Sequence, residues 1–154
     1  MNWKLVVVGG IVFFAVTWVV GFATGPLLHD GILKPLYEET GSFWRPELMQ
    51  EPPDMGALMP RWIGVGLVCA LILAAVYGWV RSAFAGPGWK KGLKFGLVVA
   101  VLHLTWAAGW SGVFNLPDAI WAWWALEAFA YNAIGGMALG WVAGKLAPEA
   151  GAPA

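Results

Sequence analysis

Four long apolar runs, separated by polar segments, dominate the pattern of this chain. They cover residues 5–28, 62–80, 95–114 and 119–144. A helix rises about 1.5 Å per residue, so about 20 apolar residues are needed to cross the roughly 30 Å hydrocarbon core of a bilayer. Each run is long enough, and the pattern predicts an all-α four-helix transmembrane bundle that forms one integral membrane domain over residues 1–154.

The polar segments between the runs differ in charge. Residues 29–60 contain six acidic and two basic residues, whereas residues 81–94 contain four basic residues and no acid. Lys4 and Lys145 lie at the chain ends, on the same predicted side as residues 81–94. Basic residues are enriched on the cytoplasmic side of membrane proteins. We therefore expect both termini in the cytoplasm, residues 81–94 as an inner loop and residues 29–61 as an outer loop.

Composition supports a membrane location. The chain is 60% hydrophobic and only 12% charged, against about 25% charged residues in soluble domains. Nine of the 12 tryptophans fall near the predicted span ends, where indole rings prefer the headgroup region. The net charge is zero and there is no long basic run, so we expect the lipid bilayer rather than a nucleic acid as the surrounding partner. A single cysteine, Cys69, excludes an internal disulfide.

The two halves of the sequence resemble each other. "VTWVVGFATG" at residues 16–25 is echoed by "LTWAAGWSG" at 104–112, and "YGWVRS" at 77–82 by "LGWVAGK" at 139–145. This indicates two parallel helical-hairpin repeats, with chance similarity in a biased composition as the alternative. The outer loop is the main difference between the halves, and its five prolines exclude a long continuous helix there.

Glycines four residues apart predict close helix packing. Gly21 and Gly25 have this spacing in the first run, and Gly136, Gly140 and Gly144 have it in the fourth. Small residues at this spacing let helix backbones approach each other in lipid. The spacing favours packing within one bundle and packing between protomers equally.

Polar side chains deep in the last two runs form the candidate site. Folding the predicted hairpin at its loop brings His103 to within about one helical turn of Glu127 in depth. Tyr131 lies four residues after Glu127, on the same helical face, and Asn132 follows it. The sequence therefore predicts an intramembrane polar cluster of His103, Glu127, Tyr131 and Asn132.

Two readings of this cluster stay open. In the first, Glu127 is neutral and stabilises the packing of the helices by hydrogen bonds across the bundle. In the second, a Glu–His site binds a proton, a cation or a polar headgroup. A further alternative is that His103 alone is an axial ligand to haem or another pigment, with Ala100 and Ala107 leaving room beside it.

Catalytic and metal-binding patterns are absent from the sequence. There is no H-E-x-x-H, no G-x-S-x-G and no phosphate-binding Gly-Lys loop. The acidic outer loop lacks the ligand spacing of a calcium-binding loop. We therefore expect no catalytic residues, no metal site and no resident cofactor, which means that the protein is not an enzyme.

Three stretches carry a resemblance to a known type of protein: "MNWKLVVVGGI", "FAGPGWKKGLKFGL" and "WALEAFAYNAIGGMALGW". They resemble small four-span bacterial inner-membrane proteins that begin Met-Asn-Trp-Lys and have a central Gly-Pro-Gly linker. Those proteins have a Glu in the last span, which Glu127 matches. The resemblance implies a multi-pass protein of the bacterial inner membrane and brings no settled activity. The long Pro-rich outer loop departs from it.

These features predict a non-enzymatic membrane protein that acts as a structural, assembly or accessory subunit of a membrane complex. Its expected partners are other membrane proteins or further copies of itself. The alternative is a small oligomeric transporter or channel component that uses the intramembrane Glu–His site.

Overall fold

The chain folds into five α-helices within residues 2–148, the part that the computed structural model describes. No strand occurs in that range, so the predicted all-α class is confirmed. The α-helices are α1 (Gly10–Leu27), α2 (Lys34–Glu39), α3 (Met55–Val80), α4 (Gly88–Ser111) and α5 (Asp118–Leu146). Single π-helical turns, Leu5–Gly9 and Leu28–Ile32, extend α1 at its two ends.

Three helical segments are long and apolar enough to cross a membrane. They are Leu5–Ile32, Met55–Ala83 and Gly88–Ser111. The fourth long helix, α5, has 29 residues, includes Glu127 and Asn132, and is not among these three segments. Length and composition thus establish three candidate spans, while the fourth crossing and the hairpin repeat stay predictions.

Two helices begin earlier than the apolar pattern predicts. Helix α3 begins at Met55 because the side chain of Asp54 caps it, accepting a hydrogen bond from the backbone N–H of Ala57 at 3.1 Å. Pro60 lies inside α3 and removes one backbone donor near its start. Helix α4 begins at Gly88, directly after Pro87 in an extended conformation. The first extension contains Pro60 and Arg61 and the second contains three lysines, which is why neither belongs to an apolar run.

Helix α1 occupies the middle of the bundle, with α3 on one side and α5 on the other, and α4 packs along α5. The main core consists of small and large apolar side chains from all four long helical segments: Leu5, Phe13, Ala70, Ala74, Tyr77, Phe95, Leu139 and Ala143. Two glycines allow neighbouring helices to come into close contact. Gly10 lies against Leu71 of α3, and Gly135 lies against Phe13 of α1.

A second, smaller core closes the end of the bundle where residues 33–54 connect α1 to α3. We call this the loop end. Leu28, Leu33 and Ile120 are buried there. Five partly buried side chains pack against them: Leu36, Tyr37, Trp44, Trp123 and Trp124. The short helix α2 is therefore docked on α1 and α5 by apolar contacts, as well as by the polar ones described below.

Glycines bring the backbones of α4 and α5 together. A Cβ atom added at Gly92 would lie 2.0 Å from the carbonyl oxygen of Gly136, and one added at Gly140 would lie 2.2 Å from that of Gly88. Gly144 makes only an ordinary contact, with 3.8 Å between its added Cβ and the Cα of Gly88. The expected packing glycines Gly136 and Gly140 of α5 thus lie at one antiparallel contact with Gly88 and Gly92 of α4.

The two expected packing glycines of α1 lie differently. A Cβ atom added at Gly21 or Gly25 would meet no atom within 4 Å in the described chain. They are therefore open to the surroundings of the bundle rather than to another of its helices.

We predict that Gly92→Ala lowers the free energy of unfolding by about 1–3 kcal/mol, because the added methyl group meets rigid backbone atoms on α5. Gly21→Ala is the matched control, since it makes the same change on a helix face with free space. Thermal unfolding in detergent measures both. Equal effects of the two substitutions would contradict the close α4–α5 contact.

Candidate functional site

Glu127 of α5 is the centre of a polar network near the loop end. One of its carboxylate oxygens accepts a hydrogen bond from the hydroxyl of Thr24 in α1. The other lies 3.2 Å from Nε2 of His29, which follows α1. The Glu127 side chain is 12% exposed and that of His29 is 37% exposed. The carboxylate is thus held inside the bundle, and the imidazole connects it to the surface.

A π-helical turn at the end of α1 presents His29. Pro26, near the end of α1, lacks a backbone N–H and therefore removes one hydrogen bond from the α-helical pattern. Two turns later the N–H of Leu33 donates to the carbonyl of Leu28, five residues earlier, at 2.8 Å. A π-turn is wider than an α-turn. His29 lies within this turn, where its ring can reach both α5 and α2.

Tyr37 of α2 connects the short helix to this pair. Its hydroxyl oxygen lies 2.8 Å from Nδ1 of His29, and it accepts a hydrogen bond from the indole N–H of Trp124 at 2.8 Å. The rings of His29 and Tyr37 stack at 6.0 Å with an interplanar angle of 15°. The indole N–H of Trp44 donates to the Tyr37 backbone carbonyl and to the Thr40 hydroxyl, both at 3.0 Å.

Tyr37 retains its hydroxyl hydrogen over the physiological pH range. Burial raises the pKa of this phenol above its usual value, the hydrogen bond from Trp124 lowers it, and the nearby charge of Glu127 raises it again. A phenol that ordinarily ionises near pH 10 thus stays neutral. It is therefore available as a hydrogen-bond donor to Nδ1 of His29.

Counting donors and acceptors gives the network a direction. Trp124 can only donate, so the Tyr37 oxygen accepts from it, and the Tyr37 O–H then donates to Nδ1 of His29. A neutral imidazole that accepts at Nδ1 has its hydrogen on Nε2, where it faces the carboxylate of Glu127. We call Thr24, His29, Tyr37, Trp124 and Glu127 the Glu127 network. It joins α1, α2 and α5, and each N–H and O–H of these side chains has an acceptor within it.

The residues expected to surround Glu127 lie apart from this network. The ring of His103 contacts Tyr131 and Trp106 edge-on, with 6.3 Å between centroids in each pair. In residues 2–148, His103 and Tyr131 make no hydrogen bond. Asn132 is buried and its side chain donates to the carbonyl of Ala128 at 2.8 Å, within its own helix. Glu127 thus finds its partners on α1 rather than on α4.

Four members of the network were not expected from the sequence: Thr24, His29, Tyr37 and Trp124. His29 and Glu127 are 98 residues apart, and their contact depends on the packing of α1 against α5. The one local signal is that His29 and Tyr37 flank a turn after a helix that contains Pro26. That pattern indicates a structured connection without naming its partner.

Two alanines named with the alternative haem or pigment site at His103 are buried in the bundle. Ala100 is 0% exposed and Ala107 is 6% exposed, so both methyl groups are enclosed by the bundle rather than lining open space. Among the described residues, no group of three or more His, Cys, Asp and Glu side chains comes close enough to hold a metal ion.

Comparison with models of known protein families, with curated proteins and with solved structures found no match. The resemblance to small four-span bacterial proteins therefore gains no support beyond the three stretches that carry it.

Proposed function

We propose that this chain is a four-span protein of the bacterial inner membrane that acts without catalysing a reaction, as a structural, assembly or accessory subunit of a membrane complex. The proposal rests on one observation: both carboxylate oxygens of Glu127 have hydrogen-bond partners within the chain. These oxygens are hydrogen-bonded to Thr24 of α1 and to His29 of the turn that follows α1, and the chain of bonds continues to α2. This arrangement fastens the connection after α1 onto the bundle.

The fourth crossing is supported by how α5 packs. Contacts between Gly88 and Gly140, Gly92 and Gly136, and Gly96 and Asn132 run in opposite directions along the two helices. Helix α4 is long and apolar enough to span a bilayer. A helix of 29 residues that lies antiparallel along it crosses the same thickness in the opposite sense. In this arrangement the tryptophans at the start of α5 lie at the outer interface.

The need for a partner is supported by His103 and Tyr131. Neither side chain has a hydrogen-bond partner in residues 2–148, and Trp106 beside them is 63% exposed. An unpaired polar group in hydrocarbon costs about 1 kcal/mol or more. A neighbouring subunit with a polar side chain at this depth would remove that cost. The partner would be another membrane protein or a second copy of this chain.

The proposed topology places residues 33–54 outside and both termini in the cytoplasm. We expect that a cysteine at Ser42, in a Cys69→Ala background, reacts with a membrane-impermeant thiol reagent in intact cells. A cysteine at Ser82, in the basic segment, is the control and should react only after the cells are opened. Labelling at Ser82 with protection at Ser42 would reverse the orientation.

A second candidate function is a proton- or cation-translocating component in which Glu127 is the binding group. The exposure of His29 at the loop end favours it, because His29 gives the buried carboxylate a route to water. Four helices enclose little room for a second route to the other side, so such a component would need several copies around a shared path.

We predict that Glu127→Leu lowers the free energy of unfolding by about 0.5–2 kcal/mol, because it leaves the Nε2–H of His29 unpaired in the bundle. Glu127→Gln should be tolerated: the amide oxygen can accept from the Nε2–H of His29, and the amide N–H can donate to Thr24, whose hydroxyl then donates to the carbonyl of Val20. Thermal unfolding in detergent and ion flux in proteoliposomes, measured on the same preparations, test both candidate functions.

The control is Glu38→Leu, which removes a carboxylate of α2 whose side chain is 64% exposed and whose ion pair with Lys34 is 4.0 Å long. It should change stability by less than about 0.5 kcal/mol. If the wild-type protein conducts ions and both Glu127 variants do not, the structural proposal is wrong and the transport one is supported. Absence of flux, with only the Leu variant destabilised, is the result that the structural proposal expects.

A further inference from the structure

The end of the bundle opposite the loop end is formed where α1 begins, α3 ends, α4 begins and α5 ends. Leu5 lies against Gly78 of α3, and the guanidinium group of Arg81 donates to the carbonyl of Ala143 in α5 at 3.4 Å. Six of the nine lysine and arginine residues of the chain belong to this region, which we call the basic end: Lys4, Arg81, Lys90, Lys91, Lys94 and Lys145.

Acidic residues are concentrated elsewhere in the part of the chain that the structure describes. They lie at the loop end or in the Glu127 network: Asp30, Glu38, Glu39, Glu47, Glu51, Asp54, Asp118 and Glu127. Glu149 follows α5 in the sequence and lies outside residues 2–148. Even with Glu149 counted, six positive charges face at most one negative charge at the basic end. This surface is therefore strongly positive.

Three of the lysines lie at the start of a helix. Lys90, Lys91 and Lys94 occupy the first two turns of α4, whose first turn has no acidic residue. The start of a helix has a partial positive charge of its own, so cations are disfavoured there and anions are favoured. The preference of basic residues for the cytoplasmic side would be satisfied by lysines anywhere outside the spans. It does not account for their position at the positive end of α4, which a bound anion would stabilise.

Two of the ammonium groups lie beside exposed indole rings. Nζ of Lys145 lies 3.8 Å from the ring centroid of Trp141, and Nζ of Lys90 lies 5.4 Å from that of Trp89. Both tryptophans are exposed, and exposed indole rings of membrane proteins prefer the headgroup region. The two ammonium groups are therefore held at the depth of phospholipid headgroups rather than extended into water.

The same two lysines flank one contact between α4 and α5. The Cα atom of Gly88 lies 3.8 Å from a Cβ atom added at Gly144. Lys90 follows Gly88 by two residues, and Lys145 follows Gly144 directly. Because the two helices touch at these glycines, both lysines face the same part of the membrane surface.

We propose that the basic end binds the phosphate headgroup of an anionic phospholipid, with Lys90 and Lys145 as its main contacts. An ammonium group offers three N–H donors and a full positive charge to phosphate oxygens. A phospholipid fits this surface better than a free anion, because its acyl chains cover the exposed apolar side chains of the helices while its headgroup lies level with the indole rings. The inference rests on the proposed membrane placement and goes beyond the accessory role. In the proposed topology the lipid belongs to the cytoplasmic leaflet.

The test is thermal unfolding of the full chain in a neutral detergent with added dioctanoyl phosphatidylglycerol, whose negative charge is on its phosphate. A ligand that binds the folded protein raises the unfolding temperature as its concentration rises, so a titration gives an apparent affinity. Dioctanoyl phosphatidylcholine and inorganic phosphate, at equal ionic strength, are the comparison ligands. We expect phosphatidylglycerol alone to stabilise the protein, and to do so less in about 1 M salt, where charges are screened within about 3 Å.

The combined substitutions Lys90→Gln and Lys145→Gln should weaken phosphatidylglycerol binding by about 25-fold, since each lysine at an anionic surface contributes about fivefold in affinity. Lys90→Arg with Lys145→Arg keeps both charges and should bind nearly as the wild type does. This pair separates loss of charge from loss of fold. Lys34→Gln is the matched control: it removes a lysine at the loop end whose side chain is 60% exposed and should leave the affinity unchanged.

Equal stabilisation by phosphatidylcholine and phosphatidylglycerol would overturn the proposal, as would no stabilisation by either lipid. Equal affinity in the Gln pair and in Lys34→Gln would also overturn it, and so would loss of binding in the Arg pair. The same stabilisation by inorganic phosphate would assign the basic end to a free anion instead of a lipid. Failure of the membrane placement appears separately, as a chain that stays in solution without detergent.

Discussion

A carboxylate inside a helical bundle must be hydrogen-bonded, because a bilayer core offers no water to replace a missing partner. Glu127 meets this requirement with Thr24 and His29, both on the first candidate span, Leu5–Ile32. The position of α5 relative to α1, the π-turn that presents His29 and the docking of α2 through Tyr37 all depend on that pairing. Apolar burial of Leu28, Leu33 and Ile120 acts at the same place and in the same direction.

Close backbone packing is the second constraint. Gly88, Gly92 and Gly96 of α4 meet α5 at distances that no side chain would permit, so the two helices are fixed in register. This contact occupies the half of the bundle away from the Glu127 network. It leaves His103 at the side of the pair, facing Tyr131 and the surroundings rather than Glu127. The same geometry that aligns α4 with α5 therefore keeps His103 out of the network.

The sequence predicted what depends on local pattern and missed what depends on distant packing. Helical class, the tight hairpin of α4 and α5 and the packing at Gly136 and Gly140 all follow from periodicity and spacing. The partner of Glu127 does not, because His29 lies 98 residues away and only the packing of α1 against α5 brings it near. Folding of the α4–α5 hairpin, taken alone, predicted His103 as the neighbour of Glu127, because His103 lies on the helix that precedes α5.

The central claim, that Glu127 is paired with His29 and not with His103, is tested most directly by two double-mutant cycles on unfolding free energy. One combines Glu127→Leu with His29→Leu, and the other combines Glu127→Leu with His103→Leu. We expect a coupling energy of about 0.5–1.5 kcal/mol in the first cycle and one near zero in the second. Coupling to His103 with none to His29 would contradict the account.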